Sequence, residues 1–94
     1  MANALTVKNA MFEAGAGKFD NYHNCAWQTL GTGQFKPVDD ANPAIGEINK
    51  LETIEEYKVE MLCAKENIKQ VVDVMKSTHP YEQVAYWVIK MENI

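Results

Sequence analysis

The sequence contains no arginine, and all nine of its cationic residues are lysines. Acidic residues number 13, so the net charge at pH 7 is −4, and the lysines form no basic run. Arginine is the side chain best suited to bidentate contacts with phosphates and bases. The composition therefore argues against a nucleic-acid-binding surface.

Long apolar runs are also missing, since no stretch approaches the roughly eighteen apolar residues that a membrane-spanning helix needs. The first residues lack the charged region and apolar run of a secretory leader. Cysteine is scarce: Cys25 and Cys63 are far apart and belong to no Cys-x-x-Cys pair, which argues against a disulfide framework and a zinc knuckle. We therefore expect a cytoplasmic protein with free thiols and no membrane partner.

What the chain does have is enough apolar character to fold. Its 94 residues are 47% hydrophobic and 10% aromatic, which is typical of a globular domain and not of a disordered one. We expect one domain spanning residues 1–94. Short chains bury a smaller fraction of their surface, so association with further copies would add to a small core.

The spacing of apolar residues predicts two helices, at residues 6–14 and 67–77. In each, apolar side chains recur three or four positions apart and so fall on one face. Gly15 and Pro80 supply the endings. The apolar positions are Val7, Ala10, Met11 and Ala14 in the first helix and Ile68, Val71, Val72 and Met75 in the second.

Alternating residues predict strands at residues 25–30 and 50–63. Between them, residues 31–46 contain three glycines and two prolines, and this density predicts a long loop or hairpin tip. A third strand is predicted at residues 81–91, where both alternating sets are largely apolar. We expect its second face to be covered by another subunit.

The predicted order is helix, strand, loop, strand, helix, strand. This is the split β-α-β pattern of a ferredoxin-like α+β fold, with an antiparallel sheet and two helices on one face, but without its first strand. That strand is absent here or reduced to residues 4–7. It is central in the full topology, so we expect a gap in the sheet, which pairing with a second chain or strand exchange would close.

Five sequence blocks occur in one order along the chain. They are Phe12-Glu13-Ala14-Gly15-Ala16-Gly17, Tyr22-His23-Asn24-Cys25, Gly31-Thr32-Gly33-Gln34-Phe35-Lys36-Pro37, Ala41-Asn42-Pro43-Ala44-Ile45-Gly46 and His79-Pro80-Tyr81-Glu82-Gln83-Val84-Ala85-Tyr86. Together they resemble the YqfO domain, the module inserted in many bacterial Nif-three-like proteins and also found as a free-standing protein. The resemblance covers residues 7 to about 93.

This resemblance implies a fold similar to those of CutA and the PII signalling proteins, and CutA carries a comparable His-Pro-Tyr element. Members of the family normally begin with an apolar strand, which this sequence does not show. Nif-three-like proteins hold their dinuclear metal site, and any cyclohydrolase activity, in flanking domains that we expect this chain to lack. We therefore transfer no catalytic residue and no cofactor to it.

The best candidate for a binding site is the stretch at residues 78–86, where an imidazole, a carboxylate and aromatic rings meet at the end of a helix. The Gly-Thr-Gly turn could present N–H groups to an anion, although a structural turn alone would account for its glycines. The aromatic residues equally fit a core or a subunit interface. The predicted ligand-binding residues are His79, Tyr81, Glu82, Tyr22, Gly31, Gly33 and Phe35.

Imidazole, carboxylate and thiolate groups also suit a transition metal. The weak candidate ligands are His79, Glu82, His23 and Cys25. Their spacing does not demand a site, and a histidine before Pro80 equally fits a helix end. No bound metal is therefore predicted.

The sequence and the resemblance together favour a non-enzymatic regulatory module that binds a small ligand or a protein partner and forms a homo-oligomer. The resemblance suggests a trimer, whereas a dimer is the commoner default. The alternative is a metal-binding, CutA-like protein or an accessory domain of a metal-dependent hydrolase. A third hypothesis is a purely structural interaction domain with residues 31–46 as its contact surface.

Overall fold

The computed structural model of the chain describes residues 3–80 and 84–92. Within them the fold is α+β, with two helices and a two-stranded antiparallel sheet, as the sequence predicts. No helix in these two ranges is long and apolar enough to cross a membrane. The elements are α1 (Ala4–Glu13), β1 (Trp27–Phe35), β2 (Glu52–Glu60), a 3-10 turn (Lys65–Asn67) and α2 (Ile68–Thr78).

The two helices pack against each other through the apolar faces predicted for them. Val7 of α1 and Val71 and Met75 of α2 are buried. Val71 and Met75 are one helical turn apart, so they point to the same side of α2. Gln70 on α2 adds a polar link, since its side-chain amide donates a hydrogen bond to the carbonyl oxygen of Ala14.

The helix endings are those predicted from the sequence. After α1 the backbone of Gly15 has a positive φ of 119°, as expected of a glycine that follows a helix. At the end of α2, His79 is already extended, and its N–H donates to the carbonyl oxygen of Met75. Pro80 follows, which has no N–H with which to continue the helix.

Gly17 connects the turn after α1 to the rest of the domain. It is buried, and its N–H donates to the carbonyl oxygen of Leu62 at 2.7 Å. Its own carbonyl oxygen accepts from the N–H of Cys25, also at 2.7 Å. Its φ of 79° lies in the left-handed region that favours glycine. The turn is therefore tied both to the chain entering β1 and to the chain leaving β2.

The hairpin differs from the prediction, because β1 runs on to Phe35 instead of ending at Leu30. Residues 31–35, predicted to be loop, pair with β2 in an antiparallel ladder in which Gly31 lies opposite Glu56. Cross-strand pairing overrides the weak strand preference of glycine here. The loop that follows occupies residues 36–51, and the N–H of Asn49 donates to the carbonyl oxygen of Pro37 across it.

The C-terminal strand predicted at residues 81–91 is wrong for the part that the structure describes. Residues 84–92 belong to no ladder, and Trp87 and Ile89 are 82% and 80% exposed. Tyr81, Glu82 and Gln83 lie outside the described residues. A strand needs a partner as well as strand-forming side chains. Residues 4–7, which were predicted as a reduced first strand, belong to helix α1. Within the described residues, no further strand is therefore present with which residues 84–92 could pair.

Candidate functional site

Glu56 is the residue around which the structure gathers three of the predicted ligand-binding residues. It lies opposite Gly31 across the hairpin. Its carboxylate covers Gly33 on the same face, in the space that a Cβ at that position would occupy. The negative charge of Glu56 also acts on the imidazole of His79. We call Gly31, Gly33, Glu56 and His79 the Glu56 cluster.

Glu56 was not among the residues predicted from the sequence to bind a ligand. It is one of several glutamates in a strand with mixed composition, and no motif distinguishes it. Its importance depends on the register of the hairpin, which places it across from the two glycines. Absence of side chains at Gly31 and Gly33 leaves room for the carboxylate on that face. A signal for this site would have required a prediction that the Gly-Thr-Gly stretch is a strand.

His79 is half-buried at the end of α2, and burial lowers the pKa of its imidazole because the charged form loses hydration. The carboxylate of Glu56 partly offsets this effect by attracting the protonated ring. The net direction is a pKa below the ordinary value of 6.5. At neutral pH the ring is therefore neutral, with one nitrogen that donates and one that accepts hydrogen bonds.

The lowered pKa of His79 predicts that the folded protein loses stability as the pH falls below about 6.5. Between that value and the lowered pKa, the unfolded chain binds more protons than the folded one, so the free energy of unfolding decreases with decreasing pH. His79→Gln should remove this component and leave a flatter dependence between pH 7.5 and 5.5. Urea unfolding followed by circular dichroism at several pH values measures it.

The matched control is His23→Gln, which changes the other histidine of the chain at an exposed position. That variant should keep the pH dependence of the unmodified protein. If His79→Gln and the unmodified protein show the same slope of unfolding free energy against pH, the proposed effect of burial on His79 is wrong.

The other predicted ligand-binding residues are not brought into the Glu56 cluster. Phe35 closes β1 at the far end of the hairpin, where its ring is near Gly46. Tyr22 lies in the connection between α1 and β1, where its backbone forms a two-bond bridge with Phe19, and it is 72% exposed. Tyr81 and Glu82 lie outside the described residues.

The four weak metal-ligand candidates are not assembled into a site by the described structure. The exposed His23 and the half-buried Cys25 are neighbours, with the thiol 3.9 Å from the carbonyl oxygen of His23. Within residues 3–80 and 84–92, no three histidine, cysteine, aspartate or glutamate side chains approach closely enough to share a metal. Glu82 is not among the described residues.

Cys63 lies just after β2, and burial together with the negative charge of Glu66 raises the pKa of its thiol above the usual 9.0. Its Sγ is 3.4 Å from the carbonyl oxygen of Ala64. Thiolates, and not thiols, are nucleophiles and metal ligands. The protonated state of Cys63 at neutral pH therefore favours a structural role for this residue.

A shallow pocket of about 240 Å³ opens beside α1. It is lined by Asn9, Phe12 and Glu13 of the helix and by Asn24 of the following connection. Its lining combines two amide side chains, one carboxylate and one aromatic ring. None of these residues was predicted to bind a ligand.

The chain is similar in sequence to a segment of several bacterial proteins named GTP cyclohydrolase 1 type 2 homolog. It is 42% identical over 86 residues to the protein of Bacillus subtilis and 40% identical over 84 residues to that of Mycobacterium tuberculosis. These matches cover 92% and 89% of this chain, but 23% and 22% of the relatives. The chain thus spans about a quarter of the length of the curated relatives it matches. No family model matches the sequence.

A solved structure shows the same relation in three dimensions. The crystal structure of a Bacillus cereus protein related to NIF3 matches the fold with a TM-score of 0.81 at 35% sequence identity. The match covers 98% of this chain and 23% of that protein. The chain therefore fits one segment of a NIF3-related protein in both sequence and fold.

Proposed function

We propose that the chain is a non-enzymatic regulatory module of the YqfO type, which binds a small ligand and assembles with further copies of itself. The observation that carries the proposal is the exposed apolar surface of the C-terminal segment. Trp87, Ile89 and Met91 are 82%, 80% and 69% exposed. Several large apolar side chains exposed within one short segment indicate an interaction site.

The small core supports assembly as well. Among the described residues, the buried hydrophobic side chains are those of Val7, Ala16, Val71 and Met75. A domain of this size gains stability when a neighbouring copy covers further apolar surface. Light scattering coupled to gel filtration at micromolar concentration tests this part of the proposal. A dimer or trimer is expected, and a strictly monomeric protein would contradict assembly.

The Glu56 cluster is the proposed ligand-contact site. Glu56 accepts hydrogen bonds, the neutral ring of His79 both donates and accepts, and Gly31 leaves open space beside them, since no atom lies within 4 Å of where its Cβ would be. A carboxylate of this kind can accept two N–H groups from a planar heterocycle such as guanine. The relatives named after GTP cyclohydrolase make GTP the first probe.

Binding of GTP should raise the thermal midpoint of the protein, by an amount that corresponds to about 2.7 kcal/mol at a hundredfold excess over the dissociation constant. Glu56→Gln should abolish the rise, because the amide replaces one acceptor oxygen by a donor. The matched control, Glu55→Gln, changes the neighbouring exposed glutamate that points to the opposite face of the hairpin. A midpoint that does not move with millimolar GTP contradicts GTP as the ligand.

The second candidate is an accessory domain of a metal-dependent hydrolase, and the hydrolase part of this candidate is favoured by relatives that are named after a cyclohydrolase. The chain would then contribute a metal ligand, and His79 is its best donor. Titration calorimetry with zinc tests this role. Equal zinc affinity in the unmodified protein and in His79→Ala would exclude His79 as a ligand.

A further inference from the structure

The outer edge of β2 is open in the part of the chain that the structure describes. The sheet has two strands, so β2 pairs with β1 on one side only. Backbone N–H and C=O groups along an open edge are ready to pair with another extended segment. The outer edge of β1 is also open, and the charges of the two strands distinguish them.

The C-terminal segment, residues 84–92, has the complementary property. None of these residues takes part in a backbone hydrogen bond to the rest of the described chain. Its sequence, Val-Ala-Tyr-Trp-Val-Ile-Lys-Met-Glu, is rich in residues that favour strands. Its beginning contacts the domain, where the ammonium of Lys76 lies 5.1 Å from the centroid of the Tyr86 ring.

β2 offers the segment charged partners that β1 lacks. β1 carries no charged side chain, whereas β2 contains four glutamates and one lysine. Pairing two β2 edges in an antiparallel, centred arrangement would place Glu56 against Glu56 and Glu52 against Glu60, which is unfavourable. The segment carries only Lys90 and Glu92, so it avoids this repulsion.

Charge also disfavours the two centred registers. A parallel pairing centred on Glu56 and Val88 would oppose Lys58 with Lys90, and the antiparallel centred pairing would oppose Glu52 with Glu92. Shifting the antiparallel pairing by two residues places Lys90 opposite Glu52. Two further pairs then match in character, namely Ile54 with Val88 and Leu51 with Met91.

We infer that the C-terminal segment of one copy adds as an antiparallel strand to the open edge of β2 in a second copy, with Lys90 opposite Glu52, and that the exchange is reciprocal. This inference rests on the assembly proposed above and specifies its contact. It pairs backbone groups that are unpaired in the described part of one chain. It also gives cross-strand neighbours to Trp87 and Ile89, two of the most exposed apolar side chains.

Charge reversal tests the register. Lys90→Glu and Glu52→Lys should each raise the dissociation constant of the dimer about tenfold, because each turns an attraction into a repulsion at two symmetric positions. The double variant should restore the constant of the unmodified protein. Lys69→Glu is the control, since Lys69 pairs only locally with Asp73 on the exposed side of α2. Sedimentation velocity measures the dimer dissociation constants of the two single variants, the double variant and the control. A double variant that is no tighter than the singles overturns the register.

Disulfide trapping tests the exchange between copies. In a background of Cys25→Ser and Cys63→Ser, one protein carries Thr53→Cys and another carries Ile89→Cys, at positions that the register places opposite each other. A mixture of the two should form a mixed disulfide-linked dimer under oxidised glutathione, because opposed strand positions bring their Cβ atoms close to the separation that a disulfide spans. An equimolar mixture that gives no mixed dimer overturns the inference.

A third sample separates the remaining outcomes. A single chain with both Thr53→Cys and Ile89→Cys should give disulfide-linked dimers. A disulfide within one monomer would overturn the exchange, because it would show that the C-terminal segment pairs with β2 of its own chain. If light scattering shows oligomers but no mixed disulfide forms, the strand exchange fails while the proposed assembly stands. If the protein is monomeric at every concentration, both fail.

Discussion

Replacing Met75 by alanine is expected to lower the free energy of unfolding by about 2–5 kcal/mol. Met75 is 6% exposed on the face of α2 that packs against α1. Truncation removes its apolar contacts and leaves a cavity into which the surrounding side chains relax only partly. Because small domains have total stabilities of only about 5–15 kcal/mol, this loss is a large fraction of the total and should clearly lower the midpoint of thermal unfolding.

Urea unfolding followed by circular dichroism measures the effect, with an unchanged m-value as the sign that only stability has changed. Leu5→Ala is the control, since Leu5 is in a helix but 63% exposed. It should change the free energy of unfolding by less than about 0.5 kcal/mol. Equal losses in the two variants would show that the contact between α1 and α2 is not the main packing of the domain.

Replacing Gly17 by alanine is the second change with a large expected effect. At a φ of 79° a Cβ is strained by about 1–3 kcal/mol. The new atom would also lie 2.7 Å from the ring of Phe12 and 2.9 Å from the carbonyl oxygen of Cys25. The contact with the carbonyl oxygen of Cys25 involves backbone atoms, so a change of side-chain rotamer cannot relieve it. The backbone at position 17 should therefore move, and the hydrogen bond from its N–H to Leu62 should be lost.

Gly31→Ala is the matched control for the same chemical change. Its φ is not positive, and no atom lies within 4 Å of where its Cβ would be. Alanine there reduces the freedom of the unfolded chain, so a gain of up to about 1 kcal/mol is expected. Thermal and urea unfolding of both variants give the comparison. A Gly17→Ala protein as stable as Gly31→Ala would mean that the turn after α1 does not depend on its left-handed glycine.

These two positions show how differently the parts of the fold depend on the sequence. The burial of Met75 follows from helical spacing that is visible in the sequence, since Val71 and Met75 are four residues apart. The role of Gly17 follows from its neighbours in space, because the glycine alone does not indicate which carbonyl its N–H will reach. The first kind of feature was predicted, and the second was not.

The candidate site illustrates the same limit. His79 and the two glycines were chosen from local signals, namely a helix end and a Gly-Thr-Gly stretch. Glu56 lies more than twenty residues from either, and only the register of the hairpin brings it to Gly31 and Gly33. A glycine-rich stretch read in isolation predicts a loop. The pairing energy of a long hairpin, which depends on residues of the opposite strand, makes it a strand.

The sequence by itself determined the two amphipathic helices, their endings and the α+β class, because these depend on spacings within a few residues and on the backbone limits of glycine and proline. Only the tertiary structure decided the length of β1, the position of Glu56 relative to the two glycines, and whether residues 84–92 form a strand. Each of these depends on which backbone groups find a partner in space. The segment at residues 84–92 has strand-forming side chains, yet without a neighbouring strand in the described chain it forms no ladder.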